Sequence, residues 1–113
     1  MFHTFLRNLQ AADLLDHVFP MPMTSVTAAL ILRRWQVQAD LVYIDAGHTE
    51  LEVTHDLETF RHLIRPGGVL LGDDYLPQWP GVVAAAQAFS RRHGLPLQRV
   101  GEKFLIRIPE LMA

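Results

Sequence analysis

Residues 41–74, LVYIDAGHTELEVTHDLETFRHLIRPGGVLLGDD, are the stretch that decides the fold. It begins with a compact apolar run at 41–44, whose β-branched and aromatic side chains are typical of a strand covered on both faces. Residues 49–64 then carry apolar side chains every three or four positions, which predicts a helix. The run VLLG at 69–72 is a second buried strand. The stretch therefore predicts a strand–helix–strand unit with two parallel strands.

Proline and glycine mark the element ends on the carboxyl side. Residues 65–68, RPGG, stop the helix, because proline disfavours helical geometry in the residue before it and glycine accepts left-handed backbone. Pro80 is suited to the first position of a further helix, and Gly94 is suited to its end. The two apolar runs of residues 95–108 flank Gly101 and predict an antiparallel hairpin.

The first forty residues predict two more helices around a weak strand. Apolar residues recur at helical spacing over 2–15, and 26–35 reads as a helix that Thr24 or Ser25 caps. Residues 16–23 hold two prolines, which leaves room for only a short or edge strand. Helices thus alternate with strands, which predicts one α/β domain over residues 1–113 with a mostly parallel sheet.

Composition excludes several classes of protein. Half of the 113 residues are hydrophobic and 19% are charged, as in a packed domain. The formal charge of −2 gives no net positive field that would attract nucleic acid or an anionic membrane surface. No apolar run reaches the ~20 residues of a membrane span. No cysteine is present, so a metal must bind through oxygen or imidazole. We expect a soluble, cytoplasmic domain.

Three carboxylates follow the two best strands directly. Asp45 comes after the first strand, and Asp73 and Asp74 come after the second. Parallel strands joined by one crossover are usually neighbours about 4.8 Å apart, so these acids should gather at the carboxyl edge of the sheet. Such an edge is where open α/β sheets bind ligands. The acids either share a hard divalent cation such as Mg²⁺ or cap the helices that follow.

His48 lies in the loop DAGHTE, three residues after Asp45. An imidazole there is suited to taking a proton, although a hydrogen-bonded loop histidine that orients the turn fits equally well. The chain has no GxGxxG, no GxxxxGK[ST] and no GxSxG motif. Chemistry on nucleoside triphosphates and a serine nucleophile elbow are therefore not predicted.

Residues 42–82 resemble the carboxyl half of class I S-adenosylmethionine-dependent methyltransferases, closest to small-molecule O-methyltransferases of the macrocin and novobiocin type. The resemblance rests on D-x-x-H, D-L, L-x-x-x-G-G and G-D-D-Y in this order. The upstream segments FLRNL, LLDHV and TSVTAAL also fit, so nearly the whole chain is covered. The resemblance implies a partial Rossmann-like fold with helices on both faces and the strand order 3-2-1-4-5-7-6.

The resemblance also implies roles for the residues that match. Asp45, Asp73 and Asp74 correspond to magnesium ligands, and Asp45 or His48 would take the proton of the substrate hydroxyl. The cofactor S-adenosylmethionine would be contacted by Ser25, Asp45 and Ala46. The loop 75–81 would lie over the mouth of the site. A small hydroxylated molecule is the substrate class that these roles imply.

The family's glycine-rich turn and the acid that grips the ribose have no counterpart in this sequence. The chain is thus expected to be a truncated, split or degenerate methyltransferase whose 41–44 strand forms an exposed hydrophobic edge. Such an edge invites pairing with a second copy or with a complementing amino-terminal half. The alternatives are a metal- or ligand-binding module without activity, a structural fragment, and a hydroxylase-like relative of the same fold.

Overall fold

A computed structural model describes residues 1–110, which form four α-helices, one 3₁₀ turn and four strands. The helices are α1 (Phe2–Ala11), α2 (Ser25–Arg34), α3 (Glu50–Phe60) and α4 (Pro80–His93), and the 3₁₀ turn is Arg61–Leu63. The strands are β1 (Ala39–Ile44), β2 (Ile64–Gly72), β3 (Leu97–Val100) and β4 (Lys103–Arg107).

The four strands form one sheet in the order β1-β2-β4-β3. This order equals the last four places, 4-5-7-6, of the arrangement that the resemblance implies. The pair β1–β2 is parallel, whereas β2–β4 and β3–β4 are antiparallel. The α/β class and the carboxyl-terminal hairpin are confirmed, but the expectation of a mostly parallel sheet is only partly right, because the hairpin inserts β4 beside β2.

The core lies between the sheet and the helices α3 and α4. Side chains of alternate positions on β1, β2 and β4 point into it, because successive residues of a strand face opposite sides. The buried residues that form this core are Ile44, Val53, Leu57, Ile64, Leu70, Val82, Ala85, Ala86, Phe89, Phe104 and Ile106. Both helices that pack on the sheet therefore lie on one face. The opposite face carries Leu41 and Tyr43, which are 51% and 43% exposed.

Local signals set most element ends where the sequence predicts them. Thr24 caps α2 by accepting a hydrogen bond from the Thr27 amide at 3.2 Å. Pro80 occupies the first turn of α4, and Gly94 ends that helix with a left-handed φ of 63°. Thr24 pairs with an amide that has no partner within the helix, and Pro80 lacks the amide hydrogen that would be unpaired in the first turn. Gly94 ends α4 because glycine adopts left-handed backbone without steric cost.

Several elements differ from the sequence prediction, among them the predicted helix over 49–64, which ends at Phe60 and continues as the 3₁₀ turn. Residues 16–23 form turns and irregular chain rather than a strand, because β1 has no neighbour on that side with which they could pair. Helix α1 ends at Ala11, just before Asp13 adopts a left-handed φ of 58°. Strand β2 begins at Ile64, and its pairing with β1 is irregular where the RPGG segment adds residues.

Strand β1 is an edge strand of the described sheet. Its outer backbone edge has no partner strand among residues 1–110. In the same part of the chain, no helix has both the length and the apolar character that a membrane crossing requires.

Candidate functional site

The carboxyl ends of β1 and β2 lie side by side and form the base of the candidate site. The amide of Asp73 donates a hydrogen bond of 3.0 Å to the carbonyl of Ile44, the last residue of β1. Asp45 follows Ile44, and Asp74 follows Asp73. The three predicted acids thus begin at one edge of the sheet, as the strand–helix–strand unit requires.

Asp73 forms a network with Tyr43 and Lys103 on the open face of the sheet. The Tyr43 hydroxyl donates to Asp73 Oδ2, and the Lys103 ammonium lies 3.0 Å from the same oxygen. Lys103 Nζ also donates to the Tyr43 hydroxyl at 2.9 Å. The hydrogen bond from Tyr43, the amide of Asp74 and the ammonium of Lys103 together lower the pKa of Asp73 to about 2.

The pKa values of both partners of Asp73 are raised, whereas that of Asp73 is lowered. The pKa of Tyr43 is raised above 10.0, chiefly because its proton is held by the Asp73 carboxylate. The pKa of Lys103 is raised above 10.5 by its hydrogen bonds to Tyr43 and to Asp73. At neutral pH the network therefore consists of a carboxylate, an ammonium and a neutral phenol.

Asp74 belongs to a second network with His48 and Trp79. His48 Nε2 lies 2.8 Å from Asp74 Oδ2, and the imidazole stacks on the Trp79 ring with centroids 3.9 Å apart and planes at 15°. Asp74 adopts a left-handed φ of 60°, a conformation that aspartate tolerates better than most residues. The imidazole is thus held both at one nitrogen and across one face.

Gly81 lets the His48 loop and helix α4 approach each other closely. A Cβ at this position would lie 2.6 Å from the carbonyl oxygen of His48 and 2.6 Å from the amide of Glu50. Real Cβ atoms do not approach backbone so closely, so only glycine fits here. This contact places Trp79, at the start of α4, beside His48.

The predicted cofactor residues line one pocket of about 180 Å³ between α2, α3 and β1. Ser25, Asp45 and Ala46 are all in its wall, together with Asp56 and Phe60 of α3. An adjoining groove of about 480 Å³ shares Ser25 and Ala46 and extends along the first turn of α3. The groove falls within the range of roughly 300–1,000 Å³ that is usual for small-molecule sites.

The acids do not gather around one point. Within residues 1–110, no group of three or more histidine or acidic side chains is placed to hold a metal ion. Asp73 is bonded to Tyr43 and Lys103, and Asp74 is bonded to His48. The residues as placed thus do not fit a shared divalent ion, and the magnesium site stays a prediction from the sequence.

Sequence reasoning did not find Tyr43, Lys103 and Trp79 as site residues. Lys103 is 30 positions from Asp73 and meets it only through the pairing of β2 with β4, which no local pattern reveals. Tyr43 was visible only as a strand residue. Trp79 lies in the loop 75–81 and stacks on His48.

The fold and the carboxyl-edge site define a Rossmann-like α/β domain, and comparisons with known proteins identify its family. A model described as a methyltransferase domain matches residues 2–75, well over half of the chain. The chain belongs to this methyltransferase domain family.

A solved structure agrees with this fold. It is described as an O-methyltransferase family protein from Burkholderia thailandensis and is 18% identical to this chain, with a TM-score of 0.59. The match covers 95% of this chain and 40% of that one. At this identity the likeness shows the fold, and the chain spans less than half the length of that protein.

Proposed function

We propose that the chain takes part in methyl transfer from S-adenosylmethionine to a hydroxyl group of a small molecule. The observation that supports this most directly is the shared pocket of Ser25, Asp45 and Ala46, the three residues to which the resemblance assigns the cofactor. His48, the candidate proton acceptor, directly follows the groove residue Gly47 in the chain.

His48 is the proposed general base. Its Nε2 donates to Asp74, which leaves Nδ1 as the nitrogen that can accept the hydroxyl proton. Asp74 then stabilises the imidazolium that forms, and the stacked Trp79 ring keeps water from one face of the imidazole. Bound S-adenosylmethionine supplies a methyl group activated by the sulfonium. His48 would take the proton of the substrate hydroxyl as its oxygen bonds to that methyl carbon, and the sulfur would leave with the electron pair of the broken carbon–sulfur bond.

Metal assistance is a separate prediction and carries no step of this proposal. Asp45, Asp73 and Asp74 would be the ligands of Mg²⁺, which would lower the pKa of a coordinated substrate hydroxyl. The side chains of Asp73 and Asp74 make other bonds, and their fit to the ion is poor for that reason. Asp45 remains as a pocket residue and as the alternative proton acceptor.

The partners of this activity are also proposals. A small hydroxylated substrate fits the size of the groove along α3. Complete binding of the cofactor is proposed to need a second polypeptide surface, either another copy or a complementing amino-terminal half, beside the exposed edge of β1. The isolated chain is therefore expected to bind S-adenosylmethionine weakly.

Calorimetry with S-adenosylmethionine tests the pocket. Ala46→Trp fills the pocket and should abolish binding, whereas Ala84→Trp, at a partly buried position of α4 that lines neither cavity, should leave it in place if the variant folds. Affinity that Ala46→Trp does not change would contradict the proposed site, and so would the absence of any binding to the unaltered chain.

Transfer of a labelled methyl group to a panel of phenols and sugars tests the base. Removing a positioned general base usually costs on the order of 10²–10⁴ in rate, so His48→Asn should lower the turnover by that factor with little change in cofactor affinity. His17→Asn replaces an exposed histidine in the turn after α1 and serves as the matched control. Equal rates for both variants would exclude His48 as the base.

A further inference from the structure

Lys103 supplies positive charge at the carboxyl edge of the sheet. We infer that its ammonium is the resident cation of this site and that it closes Asp73 to a divalent metal ion. The inference concerns the charge of the site alone, so it does not depend on whether the chain transfers methyl groups. It follows from the strand register, from the bonds of Asp73 and from the position of Asp74.

The strand register brings Lys103 to Asp73. In the β2–β4 pair, Gly72 is opposite Phe104, and the same register continued by one residue sets Asp73 opposite Lys103. Tyr43, on the neighbouring β1, pairs with Leu71, two residues before Asp73. Residues two apart on a strand share a face, so the three side chains meet on one side of the sheet.

Both oxygens of the Asp73 carboxylate already have donors. Oδ1 accepts the amide of Asp74 at 2.8 Å. Oδ2 accepts the Tyr43 hydroxyl and lies 3.0 Å from the Lys103 ammonium. The ammonium also lies 5.1 Å from the centroid of the Tyr43 ring, a favourable cation–π position. A metal ion at Oδ2 would have to displace the Tyr43 or Lys103 donor, and a metal ion at Oδ1, which accepts only the Asp74 amide, would be repelled by the nearby ammonium.

Asp74 does not offer a metal ion a free carboxylate in place of Asp73, because it is bonded to His48. Its Oδ2 lies 2.8 Å from His48 Nε2, and Asp74 itself has a left-handed φ of 60°, so its side chain points to His48 and not to Lys103. One ammonium on one carboxylate leaves no net charge at Asp73, whereas a divalent site usually gathers several free carboxylates. The Lys103 ammonium, which is part of the chain, thus neutralises Asp73 in the place where a bound metal ion would do so.

Titration with Mn²⁺, followed by calorimetry and by electron paramagnetic resonance, tests this inference. The unaltered chain should show no saturable binding, because Asp73 is closed. Lys103→Met should show saturable binding, with an affinity at least about tenfold above the weakest that the titration detects, equivalent to 1.4 kcal/mol. Adding Asp73→Asn to Lys103→Met should remove the gain. Lys103→Arg, which keeps the positive charge, should behave as the unaltered chain does.

Arg107→Met is the matched control, because Arg107 lies on the same face of β4 and its loss changes the net charge equally. It should not create a metal site. Circular dichroism and a melting transition show whether each variant folds, and Lys103→Gln replaces Lys103→Met if the latter does not. The inference is overturned by tight binding to the unaltered chain that Asp73→Asn weakens. Binding by neither the unaltered chain nor a folded Lys103 variant overturns it too, as does a gain that survives Asp73→Asn.

Discussion

Consecutive acids at a strand end do not share a direction, and this decides the chemistry of Asp73 and Asp74. Strand β2 ends at Gly72, and the left-handed backbone of Asp74, with φ 60°, directs its side chain away from that of Asp73. Here Asp73 points to Lys103 and Asp74 to His48. One aspartate is thus tied to a permanent cation, and the other orients a titratable ring.

The absence of a side chain at Gly81 permits the close contact between the His48 loop and the start of α4. Within a helix, Gly→Ala is usually stabilising by roughly 0.5–1 kcal/mol. At Gly81 the new Cβ would meet backbone atoms of His48 and Glu50 at 2.6 Å, so overpacking outweighs the gain in propensity. Gly81→Ala should therefore destabilise the chain by about 1–3 kcal/mol, measured by urea unfolding.

Arg91→Ala is the control for Gly81→Ala, since it also places alanine in α4 but at an exposed position. It should change the free energy of unfolding by less than about 0.5 kcal/mol. A Gly81→Ala variant as stable as the unaltered chain would show that the His48 loop does not rest against the start of α4.

At the level of elements, helices α3 and α4 are joined by a cluster of charges around Glu58. Glu58 Oε1 accepts from Arg92 Nε at 2.9 Å and from His93 Nε2 at 2.8 Å, and Arg61 Nε lies 3.3 Å from Oε2. Partial burial acts to raise the pKa of Glu58, but the hydrogen bonds from His93 and Arg92 outweigh burial and lower it below 4.5.

The lowered pKa of Glu58 predicts a pH-dependent contribution to stability. The carboxylate stabilises the fold above its unfolded pKa of 4.5, and this contribution is lost as the pH falls through the lower folded value. Because the side chain is 34% exposed, Glu58→Gln should cost only about 1 kcal/mol at neutral pH. The difference between the two proteins should shrink as the pH is lowered below 4.5.

Thermal melts of both proteins from neutral to acidic pH measure this effect. Glu50→Gln, an exposed acid in the first turn of α3, is the matched control and should show a smaller difference. A difference for Glu58→Gln that stays constant at all pH values would mean that the charge of Glu58 does not join the two helices.

Elements with strong local signals could be predicted from the sequence. The 41–44 and 69–72 runs are strands because their apolar side chains are continuous, and Pro80 and Gly94 bound α4 through their own backbone preferences. The proposed strand at 16–23 was wrong because a strand needs a neighbour, and pairing is not a local property. The Lys103 network was missed for the same reason.

At the scale of the whole molecule, burial is divided unevenly along the chain. Apart from Leu9 and Ala29, the buried core residues lie from Ile44 onward. Many large apolar residues before Ile44 are exposed, among them Phe2, Phe5, Leu14, Leu15, Phe19, Val26, Leu30, Trp35 and Leu41. The radius of gyration is 15.2 Å. A compact domain of this length would have about 13 Å, so the chain is more open than a closed single core.

This uneven burial predicts that the chain self-associates through the edge of β1. An unpaired strand edge flanked by exposed apolar side chains is a template for another strand. Leu41 on β1 is 51% exposed, and a lysine there would place charge in the new interface. Light scattering after size exclusion should therefore find dimers or larger species for the unaltered chain and a monomer for Leu41→Lys.

Val100 gives a matched control for this experiment, because it is 49% exposed on β3, the strand at the other edge of the sheet. If association uses β1, Val100→Lys should remain associated while Leu41→Lys does not. Equal dissociation of the two variants would assign the effect to added charge in general. If the unaltered chain is a monomer at high concentration, the exposed β1 edge does not pair with a second copy, and an unpaired edge with exposed apolar side chains is not sufficient for association.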